Sequence, residues 1–385
     1  MDKRGFADAC AGTLVPTIGN RKAFIPDPLP PDEIDLNSVL SILSRATQAV
    51  GELKGIGRTI LNPLLLVRPL QRREAVSSSS MEGTYTTLSD LFMFEAGGSA
   101  PDRQAENQEV LNYVQALESA ISDLSSLPIS ARLIKRAHAK LLSGVARHRG
   151  AQVEAGEFKR DQNWIGGSGA IETARFIPAT PAATPAAIDK LMGFINREDR
   201  NRAPPLIDAA MAHYQFEAIH PFGDGNGRVG RMLISLMLVE NEVLPQPLLY
   251  MSPWLERNKD TYIDLMFEVS RAGKWAPWIE FFLTAVAESA EETIQVVQRM
   301  QDLQREYRER FQTARRSALM LRIIDLAFER PVRSITDIAQ KLGVTYAGAS
   351  NNVKELMRHG VAEEVRGSYP KLIRFPDIIE AMRFD

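Results

Sequence analysis

A chain of 385 residues is long enough for two or three domains and a sizeable core. Its net charge of −2 argues against a globally basic nucleic-acid binder, and its one cysteine, Cys10, excludes an intramolecular disulfide and a cysteine-built zinc site. Apolar content of 44% and charged content of 24% are ordinary for a soluble protein. No apolar run reaches the ~18 residues of a membrane span, and the opening MDKRGFADACAGTLVP lacks an apolar signal core, so a cytoplasmic protein without membrane contact is expected.

Residues 1–36 contain FIPDPLPPDE, which predicts an extended N-terminal arm. From Asn37, SVLSILSRATQAVGEL spaces apolar residues by three and four, a helical pattern. A second helical signal begins near Ser77, so 37–104 is expected to be an N-terminal helical segment. Helical patterns follow over 105–126 and 128–144. Between 150 and 181 the character changes to glycine, β-branched and aromatic residues, as in FKRDQNWIGGSGAIETARFIPATP, which predicts a hairpin or extended loop ending in the proline-rich PATPAATP. Helices are expected again at 185–196, 205–219, 228–241, 255–271 and 275–310, completing a core over 105–310. The charged stretch QRMQDLQREYRERFQTARR reads as a solvated face or as a connector to a separate unit, 318–385. The fold class is mainly α.

Within the core, HPFGDGNGRVGR runs from His220 to Arg231. Pro221 ends one helix, because proline cannot continue it, and a new helix is expected near Arg228. Gly223, Gly225 and Gly227 allow positive φ and let backbone N–H groups converge into an anion nest at a helix N-terminus. Arg228 and Arg231, three apart, project from one side of the first turn and suit a polyphosphate better than a single carboxylate. Asp224 supplies the carboxylate that a phosphate-bound Mg²⁺ requires, and His220 can take a proton near neutral pH. Base, metal ligand and phosphate clamp are the parts of a phosphoryl- or nucleotidyl-transfer site. No Walker loop is present.

The same stretch resembles the signature of the Fic family (filamentation induced by cAMP), HPFx(D/E)GNGRxxR, and matches every fixed position. The resemblance implies a Fic helical core with a β-hairpin flap, and most members transfer AMP from ATP to a hydroxyl side chain of a protein. It makes His220 the base for the target hydroxyl and Asp224 the ligand of Mg²⁺, with Mn²⁺ as an alternative. Gly225, Asn226 and Gly227 would line the anion nest, Arg228 would grip the β-phosphate and Arg231 the γ-phosphate, and Phe222 would anchor the loop in the core. GEFKRDQNWIGG followed by ARFIP resembles the family's flap, which pairs main chain with the target segment. That puts Gln162, Asn163, Trp164, Ile165 and Gly166 at the docking edge. LERNKDTYIDLM resembles the helix that closes the adenine pocket; many members carry paired tyrosines there, whereas this chain has Tyr262 then Ile263.

SSSSMEGTYTT, residues 77–87, matches the family's inhibitory pattern S/T-x-x-x-E-G/N as Ser78, Glu82 and Gly83. In such members the glutamate pairs with the second arginine of the signature, here Arg231, so ATP binds unproductively; an inhibitor before the core implies a class II member. Ser79 and Glu82 also form S-x-x-E, a capping box for a helix start.

The segments of 318–385 read as three helices and a hairpin, with Ile335, Ile338, Ala339 and Leu342 in one stripe and Gly343 as a breaker. They resemble a winged helix-turn-helix, which would put Tyr346, Ser350, Asn351 and Lys354 in a DNA major groove. Residues 331–375 carry seven Lys/Arg against four Asp/Glu, a mild excess. A strong phosphate-tracking surface should be more basic, so DNA binding stands beside a protein-docking or dimerising role for this unit. The competing reading of the whole chain is a DNA-binding regulator with a nucleotide-sensing core; other nucleotide donors, or removal of AMP, stay within the enzyme class. A metal site on His213 and His220 lacks a third ligand at any recognisable spacing, and His213 reads as a helix-face histidine. The expected partners are ATP and a protein target, the chain itself included, with a homodimer left open.

Overall fold

A computed structural model describes residues 10–32, 34–35, 37–59, 64–98, 103–145, 154–199, 204–312 and 317–383. Where an extended arm is expected, residues 12–26 form a hairpin. Strand β1 (Gly12–Thr17) pairs antiparallel with β2 (Arg21–Pro26), with Thr17 opposite Arg21. The turn runs through two positive-φ residues, Gly19 at 64° and Asn20 at 53°, the residue types that reach that region most cheaply. Phe24 is fully buried, and its N–H donates to the Ile177 carbonyl at 2.8 Å, which ties the hairpin to the chain that leads into the core.

Helix α1 (Leu40–Thr59) packs along α11 (Trp275–Phe311), and α2 (Leu64–Ser80) lies against α4 (Gln104–Asp123) and α9 (Ser252–Arg257). The remaining helices around the core are α3 (Leu88–Glu95), α5 (Ala131–Leu141), α6 (Thr184–Ile195) and α10 (Lys259–Ala272). At the centre α7 (Pro205–Ile219) and α8 (Asn226–Glu240) pack on each other and are buried along most of their length. Helices apolar all round belong in an interior, which is why MLISLMLV follows the glycine-rich stretch. Trp278 of α11 is fully buried against them, its indole N–H donating to the Ala210 carbonyl at 3.0 Å.

The C-terminal unit follows the order α12 (Ser317–Glu329), β3 (Val332–Ser334), α13 (Ile335–Leu342), α14 (Tyr346–Arg358), β4 (Glu363–Glu364), β5 (Leu372–Arg374) and α15 (Pro376–Ala381), with the antiparallel sheet ordered β3-β5-β4. Ser334 and Thr345 cap α13 and α14, accepting from the Asp337 and Gly348 N–H groups, and Gly343 at φ 65° ends α13. Ile335, Ile338 and Ala339 are buried as the stripe predicts. The unit is not merely tethered by α11. Leu70 of α2, Phe92 of α3 and Met300, Tyr307 and Phe311 of α11 share one core with Ile323, Phe328 and Ile378, and Arg68 pairs with Glu329. Among the described residues no helix is long and apolar enough to cross a membrane.

Candidate active site

The turn between α7 and α8 is the stretch His220–Gly225, and it begins with a strained residue. His220 caps α7 in the left-handed region, φ 50° and ψ 61°, which costs a non-glycine residue about 1–2 kcal/mol. Its surroundings over-determine that geometry. Lys159 donates its Nζ to the carbonyls of Ile219 (3.1 Å) and His220 (2.8 Å) and to Asn163 Oδ1 (2.8 Å), and its backbone N–H donates to the Pro221 carbonyl. Asn163 donates to the carbonyls of His220 (3.2 Å) and Phe222 (2.9 Å). Asn226 grips the Phe222 backbone from the other side, accepting its N–H and donating to its carbonyl, each at 2.8 Å. The Phe222 ring stacks on His138 at 3.8 Å. His138 Nδ1 accepts the Gly156 N–H, so Nε2 carries the hydrogen and donates to the Asp224 carbonyl at 3.0 Å. Burial pushes His138 down to about 4 and Lys159 down to about 7.

Gly225, at φ 76°, starts α8, and the Asp224 carboxylate accepts its N–H at 2.7 Å. Of the three loop glycines only Gly225 takes a positive φ. Arg228, fully buried, pairs with Glu109 of α4; its Nη2 is 3.7 Å from Asp224 Oδ2, and among the described residues Nε and Nη2 make no hydrogen bond. Arg231, only 3% exposed, donates to Ser78 Oγ, the Ser78 carbonyl and Glu82 Oε1, each at 2.8 Å. Glu82 sits against the first turn of α8. A Cβ on Gly227 would come within 2.1 Å of Glu82 Oε1, so glycine there is what admits the carboxylate to the helix N-terminus. Burial alone would raise the Glu82 carboxyl, but Arg231 holds it below the usual carboxylate value. Glu82 is therefore ionised against Arg231 at neutral pH, and acidification weakens the pair.

A cavity of about 270 Å³ lies beside this pair, lined by Glu82, Ile165, Phe176, Glu217, His220, Arg231, Tyr262, Ile263, Met266 and Phe267. Tyr262 offers its ring to the cavity while its hydroxyl donates to His213 Nε2 at 2.7 Å; His213 Nδ1 in turn donates to the Gly230 carbonyl at 3.0 Å. The helix-face histidine is thus a core link between α8 and α10. Burial, and then the Lys159 cation, pushes His220 down to about 4, so its imidazole is neutral and ready to accept a proton.

The structure brings together His220, Asp224, Gly225, Gly227, Arg228, Arg231, Ser78, Glu82 and Tyr262. It does not put every expected residue on the ligand face. Asn226 spends its side chain on the Phe222 backbone. Gln162 is buried, donating to the Pro178 and Asn163 carbonyls and accepting from Thr17, and Asn163 points inward as described. Trp164 is half-buried against Ala23 and Ile177. The flap is joined by a single antiparallel bridge, Ile165 with Phe176, in place of a ladder; beside it Gly166 turns at φ 72°. Residues 77–80 end α2 where a helix start is expected, and Gly83 at φ 85° turns the chain after it, so Ser79 and Glu82 are no capping box. Lys159, His138 and Glu109 carry no sequence signal because their roles depend on elements distant in the chain, and Glu217, though three residues before His220, owes its burial to α8.

These parts set two buried arginines and a half-buried carboxylate at a helix N-terminus beside a neutral histidine. The chain belongs to the Fic/DOC family: the Fic/DOC family N-terminal model matches residues 40–122 and the Fic/DOC family model residues 128–238. It is similar to proteins named protein adenylyltransferase Fic, at 31% identity over 142 residues to that of Culex quinquefasciatus (37% of this chain, 25% of the relative). To that of Drosophila yakuba it is 26% identical over 220 residues (56% and 40%). The chain thus spans between 25% and 40% of the length of these two relatives. Among solved structures, a Fic family protein from Desulfovibrio desulfuricans G20 shares the fold over 90% of this chain and 98% of its own, with a TM-score of 0.58 at 20% identity. Fic-1 from C. elegans does so over 68% and 74%, with a TM-score of 0.51 at 20% identity.

Replacing Lys159 tests what holds the histidine. Lys159→Met keeps the stem but strips buried acceptors of their donor, and is expected to cost roughly 1–3 kcal/mol in urea unfolding, with Lys159→Arg recovering part of it. Full stability in Lys159→Met would contradict the assigned role.

Proposed function

We propose that this chain is a protein adenylyltransferase that moves AMP from ATP to a hydroxyl side chain of a protein, and that Glu82 holds it inactive. The observation that carries this reading is the Glu82–Arg231 pair at the mouth of a helix N-terminus, beside a neutral histidine. A carboxylate there takes the place of a phosphate oxygen. Relatives named protein adenylyltransferase Fic support the choice of reaction. In the open state Arg231 exchanges Glu82 for the terminal phosphate, and the spare N–H groups of Arg228 and the first turn of α8 take up charge nearer the α-phosphorus. His220 Nε2 accepts the proton of the target hydroxyl. The hydroxyl oxygen bonds to the α-phosphorus, the bond to the bridging oxygen breaks, and pyrophosphate leaves with that electron pair.

Asp224 fits a phosphate-borne Mg²⁺ or Mn²⁺. Its Oδ2 makes no hydrogen bond among the described residues and its side chain is 31% exposed beside the nest, the arrangement of a single-carboxylate magnesium site. Such an ion would neutralise charge on the phosphates.

With ATP labelled at the α-phosphorus, Glu82→Gly is expected to label protein about tenfold or more above wild type, and Glu82→Gly with His220→Ala to fall to background. Labelling that survives loss of His220, or its absence in every variant, contradicts the reading.

For the C-terminal unit we propose a winged helix-turn-helix that contacts DNA. Supporting this, Tyr346 is 54% exposed and Asn351 and Lys354 are exposed on α14, and Tyr369, on the β4–β5 loop, is 96% exposed. Duplex binding measured against salt should weaken in Lys354→Glu, with the salt slope reduced by about one. Binding without salt dependence would sink this reading.

A further inference from the structure

The reaction as drawn leaves one buried acid unused. Glu217 sits three residues before His220 on α7, its carboxyl lodged against Gly230 of α8, where a Cβ would lie 2.2 Å from Oε1. It lines the same cavity as Glu82 and Arg231. Among the described residues neither Glu217 Oε1 nor His220 Nδ1 has a well-aligned hydrogen-bond partner, and both are shut off from solvent; the Glu217 main-chain carbonyl also acts on the His220 ring and favours its protonated form. Glu217 Oε2 is 3.8 Å from that Nδ1. The gap is too long for a hydrogen bond and short enough for a small side-chain rotation to close. Unsatisfied buried polar atoms are costly, and an orphan imidazole nitrogen beside a buried carboxyl group calls for an explanation.

We propose that Glu217 is a positioning residue for His220, holding Nδ1–H from behind so that Nε2 is the nitrogen aimed at the target hydroxyl. The inference rests on the adenylyl-transfer reading. As Nε2 takes the hydroxyl proton, the ring becomes an imidazolium whose Nδ1–H faces the Glu217 carboxyl, which stabilises that charge when ionised. The charged and titratable groups around Glu217 are Arg231 of α8, Glu82 beyond α2, Tyr262 of α10 and His220 itself, with Lys159 against His220. Burial pushes the Glu217 carboxyl up to about 8; Arg231 pulls it down and Glu82 pushes it further up. Its help to the imidazolium therefore grows as pH rises and it ionises. Loss of the Glu82 charge moves that growth to lower pH.

The test compares Glu82→Gly with Glu82→Gly carrying Glu217→Gln, a change that keeps the shape and removes the ionisation. Rates of α-phosphorus labelling are measured across pH alongside thermal melts. The parent is expected to show a rising limb at or below pH 8, above that of His220. The Gln variant loses that limb, with kcat on the alkaline side down about tenfold or more and KM for ATP unchanged. Glu217→Asp keeps the limb. Between the ordinary carboxylate range and pH 8 the folded parent binds a proton that the unfolded chain does not, so the parent loses stability with rising pH. The Gln variant should therefore melt higher than its parent at pH 8 while turning over more slowly, which a merely structural role does not produce. An unchanged profile and kcat in Glu217→Gln overturns the proposal alone, as does a kcat loss that tracks a fall in melting temperature. Absence of labelling in Glu82→Gly itself overturns the adenylyl-transfer reading and this proposal with it.

Discussion

A guanidinium that is 3% exposed has to find negative charge or acceptors inside the protein, and the rest of this site is arranged around how Arg231 does so. Helix α8 delivers Arg231 to the centre of the molecule, and α2 ends where Ser78 and Glu82 can reach it. The partner comes from a separate segment that is only half-buried, so the same arginine can be satisfied by Glu82 or by an anion from outside, but not by both. Glycine at 227 makes the exchange feasible, since any side chain there would collide with the carboxylate. Arg228, by contrast, keeps Glu109 from a core helix as its permanent partner.

The second constraint is the histidine's backbone. His220 is left-handed because the chain must leave α7, cross to α8 and place Asp224 and Gly225 at the new helix start within six residues. Lys159, Asn163 and Asn226 hold this crossing by its carbonyls, so side chains that look like docking or ligand groups serve the loop's shape. The helix that leads to Glu82 is also tied to the C-terminal unit. Helix α2 shares its core with α12 and the C-terminal sheet, through Leu70 and the Arg68–Glu329 pair.

Much of the helical order is legible in the sequence, because α7, α8 and α11 are long and their boundaries carry proline, glycine or asparagine punctuation. The twelve-residue motif is legible because its chemistry is local: proline, glycines and arginines at fixed spacing. The N-terminal hairpin is missed because the prolines of FIPDPLPP outweigh the Gly19-Asn20 turn signal just before them. The capping-box alternative at Ser79 fails for a different reason. S-x-x-E marks a helix start only when a helix follows, and here one precedes it. Glu109 carries no local signal at all, since it is an ordinary helical glutamate until a distant arginine is placed against it; Glu217, three residues before His220, reads as an ordinary helical neighbour until Gly230 of α8 closes over its carboxyl.

The claim that Glu82 stands in for a phosphate is tested most directly by calorimetric titration of ATP and of AMP into wild type and Glu82→Gly. The account predicts that ATP binds about tenfold or more tightly once the carboxylate is gone, while AMP, which has no terminal phosphate for Arg231, changes little. Equal gains for both nucleotides, or no gain for ATP, would contradict it.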